Sequence, residues 1–416
     1  MPVAKALHPS HHQSLMHEAG PNNHYRTAPS APQRNGALLR GQSDNYTGLR
    51  PEAKKSNLLR GASADLSEFI WPKDQWPSVP HNDFHMAQEL PTVDLSGLQS
   101  NDPLELEKIA QLLVKTFSNW GFVQVINHGV PTEVIDRMQN EARKFFDLPL
   151  EQKEKGVAPT SSKYEGFGYG VESGFFYAGK PWIDRFQCRW SPVCEIREPV
   201  EKVFTETSDA ELFSNSIEEY NGRLDKLAMQ ILELCARGLG LPVDTFTKPF
   251  NGTAGDCIAR MNYYPPCPLS SLTLGLGAHT DPNLLTILSQ CKVGGLQVCK
   301  DGTWMSVKPK PDTLIINIGD TFEAWTNGRF RSVEHRAVVN ETESRISMVY
   351  FASPPAKSLI QMPEQLITPQ HPLKFRTSFT WEEYKIHLFK KHVGGNGVKT
   401  SKQWLRHPVP ISQISS

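Results

Sequence analysis

The sequence predicts a mainly β protein in which helices, including a helical N-terminal region, surround a sandwich or barrel core. Three observations lead to this fold class. The chain of 416 residues is long enough to bury a large core. Upstream of residue 240, apolar residues recur at helical spacing over several long stretches. From about Cys257 onward, short β-prone runs are separated by turn signals, as the strands of a sandwich or barrel are.

Composition argues against several classes of protein. The 44 basic and 44 acidic residues cancel, whereas proteins that bind nucleic acid or an anionic membrane usually carry a basic excess. No apolar run approaches the roughly 20 residues that span a bilayer, and the first residues lack the apolar centre of a secretory signal. The seven cysteines are odd in number and form no C-x-x-C pair. They predict reduced thiols and a cytoplasmic protein, and the balanced charge predicts no nucleic-acid or membrane partner.

Residues 1–88 differ in composition from the rest of the chain. They are rich in Pro, Asn, Ser, His and Gly and lack apolar periodicity, so we expect a disordered N-terminal extension. Seven of the 14 histidines lie here. A metal-binding tail is one interpretation, but a solvated segment is favoured because nothing nearby would hold these side chains in place. A basic excess through Arg60 leaves an organelle-transit signal open.

Residues 89–210 are predicted to form an N-terminal region of mixed helix and strand. Its first long helix begins at Pro103 with Asp102 as the N-cap, and Gly121 ends it. The predicted elements are a strand within 89–98, this helix, a strand over 122–130, a helix over about 131–146, and a Gly- and Tyr-rich segment over 163–177.

Residues 211–355 are predicted to hold a long helix over 214–239 followed by the β core. Asp301 and Gly302 between two of the strands are a strong signal for a two-residue hairpin. A helix near 381–391 lies in the C-terminal region, residues 356–416. The predicted core strands are CIARMNYY, LTIL, GLQVC, TWMSV, TLIINI, RSVEHRAVV and RISMVYF.

The stretch GLGAHTDPNLLTIL places His279 and Asp281 one residue apart in an apolar, β-prone run. A buried imidazole beside a carboxylate is costly unless the two groups bind something. Two positions apart on a strand, they point to one face and supply two thirds of the 2-His-1-carboxylate triad that binds non-haem Fe(II). His335, in the later run RSVEHRAVV, is the best third ligand. Alone, however, an H-x-D pair also fits two surface residues beside a turn.

A second polar set points to an anionic ligand. Arg345 and Ser347 share one face of the strand after His335. If that face bears the metal site, the arginine is buried with no acid in its own run, which costs several kcal/mol. A dicarboxylate that chelates iron at one end and meets the planar fork of Arg345 at the other satisfies both groups. Asn262 and Tyr264 alternate on one face of NYYPPCP as further donors.

These motifs together make the sequence resemble the plant-type 2-oxoglutarate/Fe(II)-dependent dioxygenases. WGFVQVINHGV (120–130) and LPTVDLS are similar to that family's N-terminal region, and the resemblance spans roughly residues 89–392. It implies a double-stranded β-helix, or jelly-roll, catalytic core within residues 211–355. By this resemblance His279, Asp281 and His335 would be the catalytic iron ligands, Arg345 and Ser347 would bind the distal carboxylate of 2-oxoglutarate, and Tyr264 and Asn262 would assist.

The resemblance also implies the reaction and its cofactors. Fe(II), the cosubstrate 2-oxoglutarate and dioxygen would meet at the iron positions that the three protein ligands leave open, with ascorbate in support. Oxidative decarboxylation would give succinate and carbon dioxide and oxidise a C–H bond of the substrate. The protein supplies binding, orientation and exclusion of side reactions, so we assign no general base.

The substrate is expected to be a small hydrophobic plant metabolite, because the family's pocket is mostly apolar. NGRFRSVEHRAV and SRISMVYFASPP are most similar to gibberellin oxidases and related diterpenoid-acid hydroxylases. They predict hydroxylation of a gibberellin or kaurenoic-type acid. A monomeric enzyme is expected. Three alternatives stay open: a flavonoid-oxidising hydroxylase, desaturase or synthase, an Fe(II) oxidase that works without 2-oxoglutarate, and a non-catalytic jelly-roll binding protein.

Aromatic and basic residues outside the motifs are candidate substrate contacts. Core packing or a surface ion pair explains each of them as well, and these interpretations are favoured. The aromatic candidates are Tyr164, Phe167, Tyr169, Phe175, Phe176 and Phe351, and the basic candidates, which could pair with a substrate carboxylate, are Lys163, Arg185 and Arg189.

Overall fold

A computed structural model of the protein describes residues 66–84, 89–100, 102–156, 168–170, 179–190, 197–392 and 401–406. The predictions for residues 1–65 and for most of 163–177 lie outside the described residues. The helices are α1 (Gly97–Ser100), α2 (Pro103–Asn119), α3 (Thr132–Asp147), α4 (Leu150–Lys153), α5 (Arg197–Val203), α6 (Thr207–Gly238), α7 (Asp320–Trp325), α8 (Trp381–His392) and α9 (Ser401–Leu405). The strands are β1 (Thr92–Asp94), β2 (Phe122–Ile126), β3 (Gly168–Tyr169), β4 (Asp184–Trp190), β5 (Cys257–Tyr264), β6 (Leu276–His279), β7 (Leu285–Gln290), β8 (Leu296–Lys300), β9 (Thr303–Ser306), β10 (Leu314–Ile318), β11 (His335–Ala337), β12 (Arg345–Ala352), β13 (Leu359–Gln361) and β14 (Ser378–Thr380).

Two sheets form the core of the described chain. The larger has the strand order β1-β2-β10-β7-β12-β5-β4-β3 and the smaller the order β6-β11-β8-β9. Within them β1 and β2 run parallel, and the other neighbours are antiparallel. Side chains from both sheets line one cavity of about 140 Å³. The predicted mainly β, jelly-roll architecture with surrounding helices is confirmed.

The hairpin between β8 and β9 has the predicted turn. Lys300 pairs with Thr303 across it, and the central residues Asp301 and Gly302 have φ values of 48° and 83°. A type I′ turn needs positive φ at both central positions, which Asp-Gly tolerates better than most pairs. The turn therefore sets the register between β8 and β9. On its other edge β8 pairs with β11.

The helices follow the predicted apolar stripes with one change of boundary. Asp102 caps α2 as expected, since its carboxylate accepts a hydrogen bond from the N–H of Leu104 at 2.9 Å. The long helix α6 begins at Thr207, earlier than predicted, because Ala210 and Phe213 extend its buried stripe. The predicted domain boundary after residue 210 consequently falls inside α6. Among the described residues, every helix is too short or too polar to cross a lipid bilayer.

Order begins earlier than residue 89, where the sequence places it. Residues 66–84 pack against the core, with Phe69 and Trp71 almost fully buried. The indole N–H of Trp71 donates to the carbonyl of Lys180 at 3.1 Å, and Phe69 packs edge-on against Trp182. The average composition of residues 1–88 does not indicate this packing, because most of these residues are polar, Pro or Gly. Two aromatic side chains nevertheless supply enough apolar area to hold residues 66–84 against the core.

Candidate metal centre and cosubstrate pocket

His279 and His335 face each other across two neighbouring strands. His279 is the last residue of β6 and His335 the first of β11, and they are partners in the antiparallel register. Their ring centroids lie 4.2 Å apart, and both residues are buried. Side chains directly opposite each other project from the same face of a sheet. The structure thus brings together the two histidines that the sequence pairs.

Asp281 lies beyond the end of β6 rather than on it. The strand ends at His279, which corrects the prediction that the two residues share a strand face. Pro282 follows, and because proline has no N–H it cannot continue a strand ladder. The chain turns instead, and the carbonyl of Asp281 accepts a hydrogen bond from the N–H of Asp320 at 2.7 Å. This turn still brings the carboxylate to the two imidazoles.

The three side chains present their ligand atoms to one point. Nδ1 of His279 lies 2.8 Å from the carbonyl oxygen of Gly277, and Nδ1 of His335 lies 3.2 Å from that of Val333. A proton on each Nδ1 satisfies these contacts and leaves each Nε2 free as a metal ligand. Each Nε2 lies 3.6 Å from an oxygen of Asp281. The three ligand atoms lie within 4.8 Å of one another.

Two polar side chains that the sequence analysis missed orient Asp281. Its Oδ2 accepts hydrogen bonds from the hydroxyl of Thr286 at 2.6 Å and from the amide of Asn317 at 2.8 Å. Thr286 lies on β7 and Asn317 on β10, and both are buried. The signal was present in the sequence as a polar residue within each apolar run, LTIL and TLIINI. Such a residue usually has a buried hydrogen-bond partner.

Burial and mutual charge determine the protonation of this group. Burial lowers the pKa of His279 well below its ordinary value, and the neighbouring imidazole of His335 lowers it further. Burial by itself raises the pKa of Asp281, but the two imidazoles and the hydrogen bonds from Thr286 and Asn317 bring it below its usual range. Near neutral pH the folded site therefore offers a neutral imidazole at His279 and an ionised carboxylate, the forms in which these groups bind metals.

We expect Thr286→Val to weaken Fe(II) binding by roughly 10- to 100-fold, the usual cost of removing a group that orients a metal ligand. Valine keeps the shape of the side chain and removes the hydroxyl that fixes Oδ2 of Asp281. Anaerobic titration of the apoprotein with Fe(II) measures the effect. Thr326→Val is the matched control, because this buried hydroxyl donates to carbonyls of its own helical turn. Equal affinities in the two variants would contradict the orienting role of Thr286.

The four predicted cosubstrate residues lie together on the cavity face of β5 and β12. In the antiparallel register Arg345 pairs with Tyr264 and Ser347 with Asn262, and all four line the same cavity as the triad. The guanidinium of Arg345 lies 5.0 Å from the centroid of the Tyr264 ring, and the Asn262 amide lies 3.5 Å from the Ser347 hydroxyl. The arrangement concentrates hydrogen-bond donors around one cation.

Arg345 is buried, and none of the ion pairs among the described residues involves it. One nitrogen donates to the side-chain oxygen of Gln290 at 3.2 Å, whereas Nε has no hydrogen-bond partner within the described part of the chain. The side-chain oxygen of Asn262 is buried without a partner in the same part. A buried guanidinium that faces a cavity in this way suits a ligand carboxylate, which offers two acceptors to its planar fork.

The triad fits Fe(II) by its donor chemistry. Two imidazoles and one carboxylate on one side of a cavity are the donors that non-haem Fe(II) oxygenases use, and the other side is left for exogenous ligands. Among the described residues, no other group of three His, Cys, Asp or Glu side chains is close enough to hold a metal. In the same cavity, Nε of Arg345 has no hydrogen-bond partner among the described residues, and it fits a carboxylate cosubstrate.

The candidate substrate contacts divide into three groups. Phe351 lines the cavity, whereas Tyr169 is buried beside Phe145 and its hydroxyl donates to Asp184, so it belongs to the core. Arg189 forms an ion pair with Asp256 at 3.5 Å, as the surface interpretation expects, and Arg185 is buried on β4. The candidates outside the described residues are Lys163, Tyr164, Phe167, Phe175 and Phe176.

A jelly-roll core with this triad and a buried arginine in one cavity defines the class of non-haem Fe(II) oxygenases. Comparison with known families agrees. Residues 255–354 match the 2OG-Fe(II) oxygenase superfamily, and residues 90–201 match the family described as non-haem dioxygenase in morphine synthesis N-terminal. The chain therefore belongs to the 2OG-Fe(II) oxygenase superfamily, among the plant 2-oxoglutarate-dependent dioxygenases, as the sequence motifs predict.

Individual relatives span most of the chain. Gibberellin 20 oxidase 1 of Arabidopsis thaliana is 33% identical over 348 residues, which cover 82% of this chain and 89% of that protein. Flavonol synthase/flavanone 3-hydroxylase of Arabidopsis thaliana is 36% identical over 304 residues, 73% of this chain and 86% of that protein. Among solved structures, the chain is similar to the crystal structure of JOX2 in complex with 2OG, Fe and JA, with a TM-score of 0.67 and 31% sequence identity. The match covers 84% of this chain and 96% of the JOX2 chain. This chain is accordingly an enzyme that uses Fe(II) and 2-oxoglutarate.

Proposed function

We propose that His279, Asp281 and His335 hold the catalytic Fe(II) of this dioxygenase. The observation that carries this proposal is the convergence of their ligand atoms, all within 4.8 Å of one another, in a buried cavity. The carbonyls beside the two Nδ1 atoms fix the ring orientations. These three residues would hold the metal at the cavity wall, where a cosubstrate and dioxygen would have access to it.

Arg345 and Ser347 bind the distal carboxylate of 2-oxoglutarate in this proposal, and Tyr264 and Asn262 assist. The guanidinium orients the cosubstrate by two parallel hydrogen bonds, and the apolar walls exclude water around it. Bound Fe(II) and 2-oxoglutarate supply the activation of dioxygen and the oxidation of a C–H bond. The side chains themselves only bind and orient, so no general base is assigned.

For the substrate we propose a gibberellin or a kaurenoic-type diterpenoid acid, with hydroxylation as the outcome. The cavity wall supports an apolar molecule, since Ile258, Leu288, Val349 and Phe351 line it. Arg260 lines the same wall, with its guanidinium 5.0 Å from the centroid of the Phe351 ring. A cation beside an aromatic face suits an acidic group on an otherwise apolar molecule. The likeness to gibberellin 20 oxidase 1 over 82% of the chain adds support.

Flavonoid oxidation is the second candidate. The 36% identity with flavonol synthase/flavanone 3-hydroxylase supports it, and this value is similar to the 33% identity with gibberellin 20 oxidase 1. Aromatic Phe351 in the cavity wall would also suit a planar ring.

A substrate screen separates the two candidates. We expect the purified Fe(II) enzyme to release succinate with gibberellins or kaurenoic-type acids, and to add one oxygen atom to the product by mass. The screen includes flavanones and dihydroflavonols at equal concentration, and each reaction is repeated without 2-oxoglutarate to measure background oxygen uptake. Succinate release with flavonoids alone would overturn the diterpenoid proposal and leave the metal-site assignment intact.

A further inference from the structure

The carboxylate of Asp320 joins the two chain segments that carry the proposed metal ligands. Asp320 is 2% exposed. One oxygen accepts a hydrogen bond from the hydroxyl of Thr280 at 3.1 Å, and the other accepts one from the hydroxyl of Ser332 at 2.7 Å. Thr280 lies between His279 and Asp281, and Ser332 lies three residues before His335. One buried carboxylate therefore holds a side chain on each of the two segments that carry the proposed ligands.

Lys402, from the short C-terminal helix α9, supplies the counter-charge. Its ammonium group donates to the carbonyl of Ser332 at 2.8 Å and to Glu323 at 2.9 Å, and lies 3.2 Å from Asp320. An ammonium has three donors, and these three acceptors use them all. The carbonyl of Ser332 belongs to the residue before Val333, whose own carbonyl orients the ring of His335.

Helix α9 is anchored independently of Lys402. Leu405 is completely buried, and the ring of Trp404 stacks on Tyr384 with centroids 5.8 Å apart. The N–H of Arg376 donates to the carbonyl of Leu405 at 2.8 Å. Because several apolar and backbone contacts hold the helix in place, replacement of Lys402 alone should remove its charge without releasing the helix.

We propose that Lys402 and Asp320 are positioning residues through which the C-terminal segment sets the geometry of the metal centre. This inference rests on the assignment of His279, Asp281 and His335 as metal ligands. A buried carboxylate that loses its cation is strongly destabilised, so we expect it to shift away from its present position. Such a shift lengthens the hydrogen bonds from Thr280 and Ser332, and the ligands on both segments lose their support.

The test is Fe(II) affinity of the full-length apoprotein by anaerobic titration with the metal alone. We expect Lys402→Met to raise the dissociation constant by about 10- to 100-fold, as loss of outer support for a metal site does, and Lys402→Arg to recover part of it. If the lysine acts through Asp320, the effects of Lys402→Met and Asp320→Asn should not be independent. The fold-increase in the dissociation constant of the double variant should then be smaller than the product of the fold-increases of the two single variants. With Co(II) in place of Fe(II), the ligand-field bands of Lys402→Met should be shifted at saturation.

Controls separate positioning from plain stability. Lys385→Met breaks another ion pair of the C-terminal region, with Asp256, and should lower the melting temperature without weakening metal binding. If Lys402→Met loses stability in the same way but keeps wild-type affinity and Co(II) bands, α9 has only a structural role and the proposal is overturned. His335→Ala tests the underlying assignment: unchanged Fe(II) affinity in that variant would show that the ligand set is wrong, whatever Lys402 does.

Discussion

Asp281→Ala is expected to abolish Fe(II) binding and turnover. Asp281 is the one anionic donor of the triad, and its Oδ1 lies 3.6 Å from Nε2 of His279. Without it, a divalent cation would be placed in a buried cavity with two imidazole rings and no anionic ligand. Removal of a group that merely orients a metal ligand costs about 10- to 100-fold in affinity, and loss of the ligand itself should exceed this. Anaerobic Fe(II) titration and succinate release measure the two effects.

The variant also leaves two buried donors without their acceptor. Thr286 and Asn317 both donate to Oδ2 of Asp281, and an unsatisfied buried donor costs about 1–3 kcal/mol. Thermal unfolding of the apoprotein must therefore accompany the metal titration. Asp281→Glu keeps the charge but displaces it by one methylene, and should bind Fe(II) weakly with little turnover.

A matched control is Asp301→Asn at the β8–β9 hairpin, since asparagine removes the charge and tolerates the positive φ of this position. This carboxylate is 65% exposed and pairs with Lys300 and Arg331, so its loss should leave metal binding and turnover near wild-type values, as surface ion pairs contribute little. Wild-type Fe(II) affinity in Asp281→Ala, with a folded protein, would refute the proposed metal centre.

Arg345→Ala is expected to raise the KM for 2-oxoglutarate while Fe(II) affinity stays the same. A hydrogen bond to a charged group contributes about 1.5–3 kcal/mol, which corresponds to roughly a 10- to 150-fold rise in KM if binding limits it. The burial of Arg345 and the lack of an ion-pair partner among the described residues favour the upper part of this range. Steady-state succinate release at varied 2-oxoglutarate measures the change.

Two further variants sharpen this result. Arg345→Lys keeps the charge and loses the planar fork, so its KM should lie between those of the wild type and the alanine variant. Arg331→Ala removes an arginine that is 44% exposed and pairs with Asp301, and should leave the KM for 2-oxoglutarate unchanged. A wild-type 2-oxoglutarate dependence in Arg345→Ala would remove this residue from cosubstrate binding.

Local patterns predicted most of the framework. The structure confirms the predicted β-prone runs, the Asp301–Gly302 turn and the Asp102 cap. The turn and the cap depend on hydrogen bonds between residues close in the chain, so local sequence is enough to predict them. Errors arose where remote contacts decide instead. Residues 66–84 are ordered because Trp71 donates to the carbonyl of Lys180 and Phe69 packs against Trp182. Both partners lie far along the chain, so no local pattern contains that information.

By itself the sequence determined the fold class, the family and the chemical types of the candidate ligands, since spacing and side-chain chemistry are local properties. Only the tertiary structure decided which groups support them. It placed Asp281 beyond the strand, Thr286 and Asn317 on its carboxylate, and Lys402 against Asp320. These contacts join segments that are distant in the chain, and they form because burial of a charge requires partners from whichever segments fold against it.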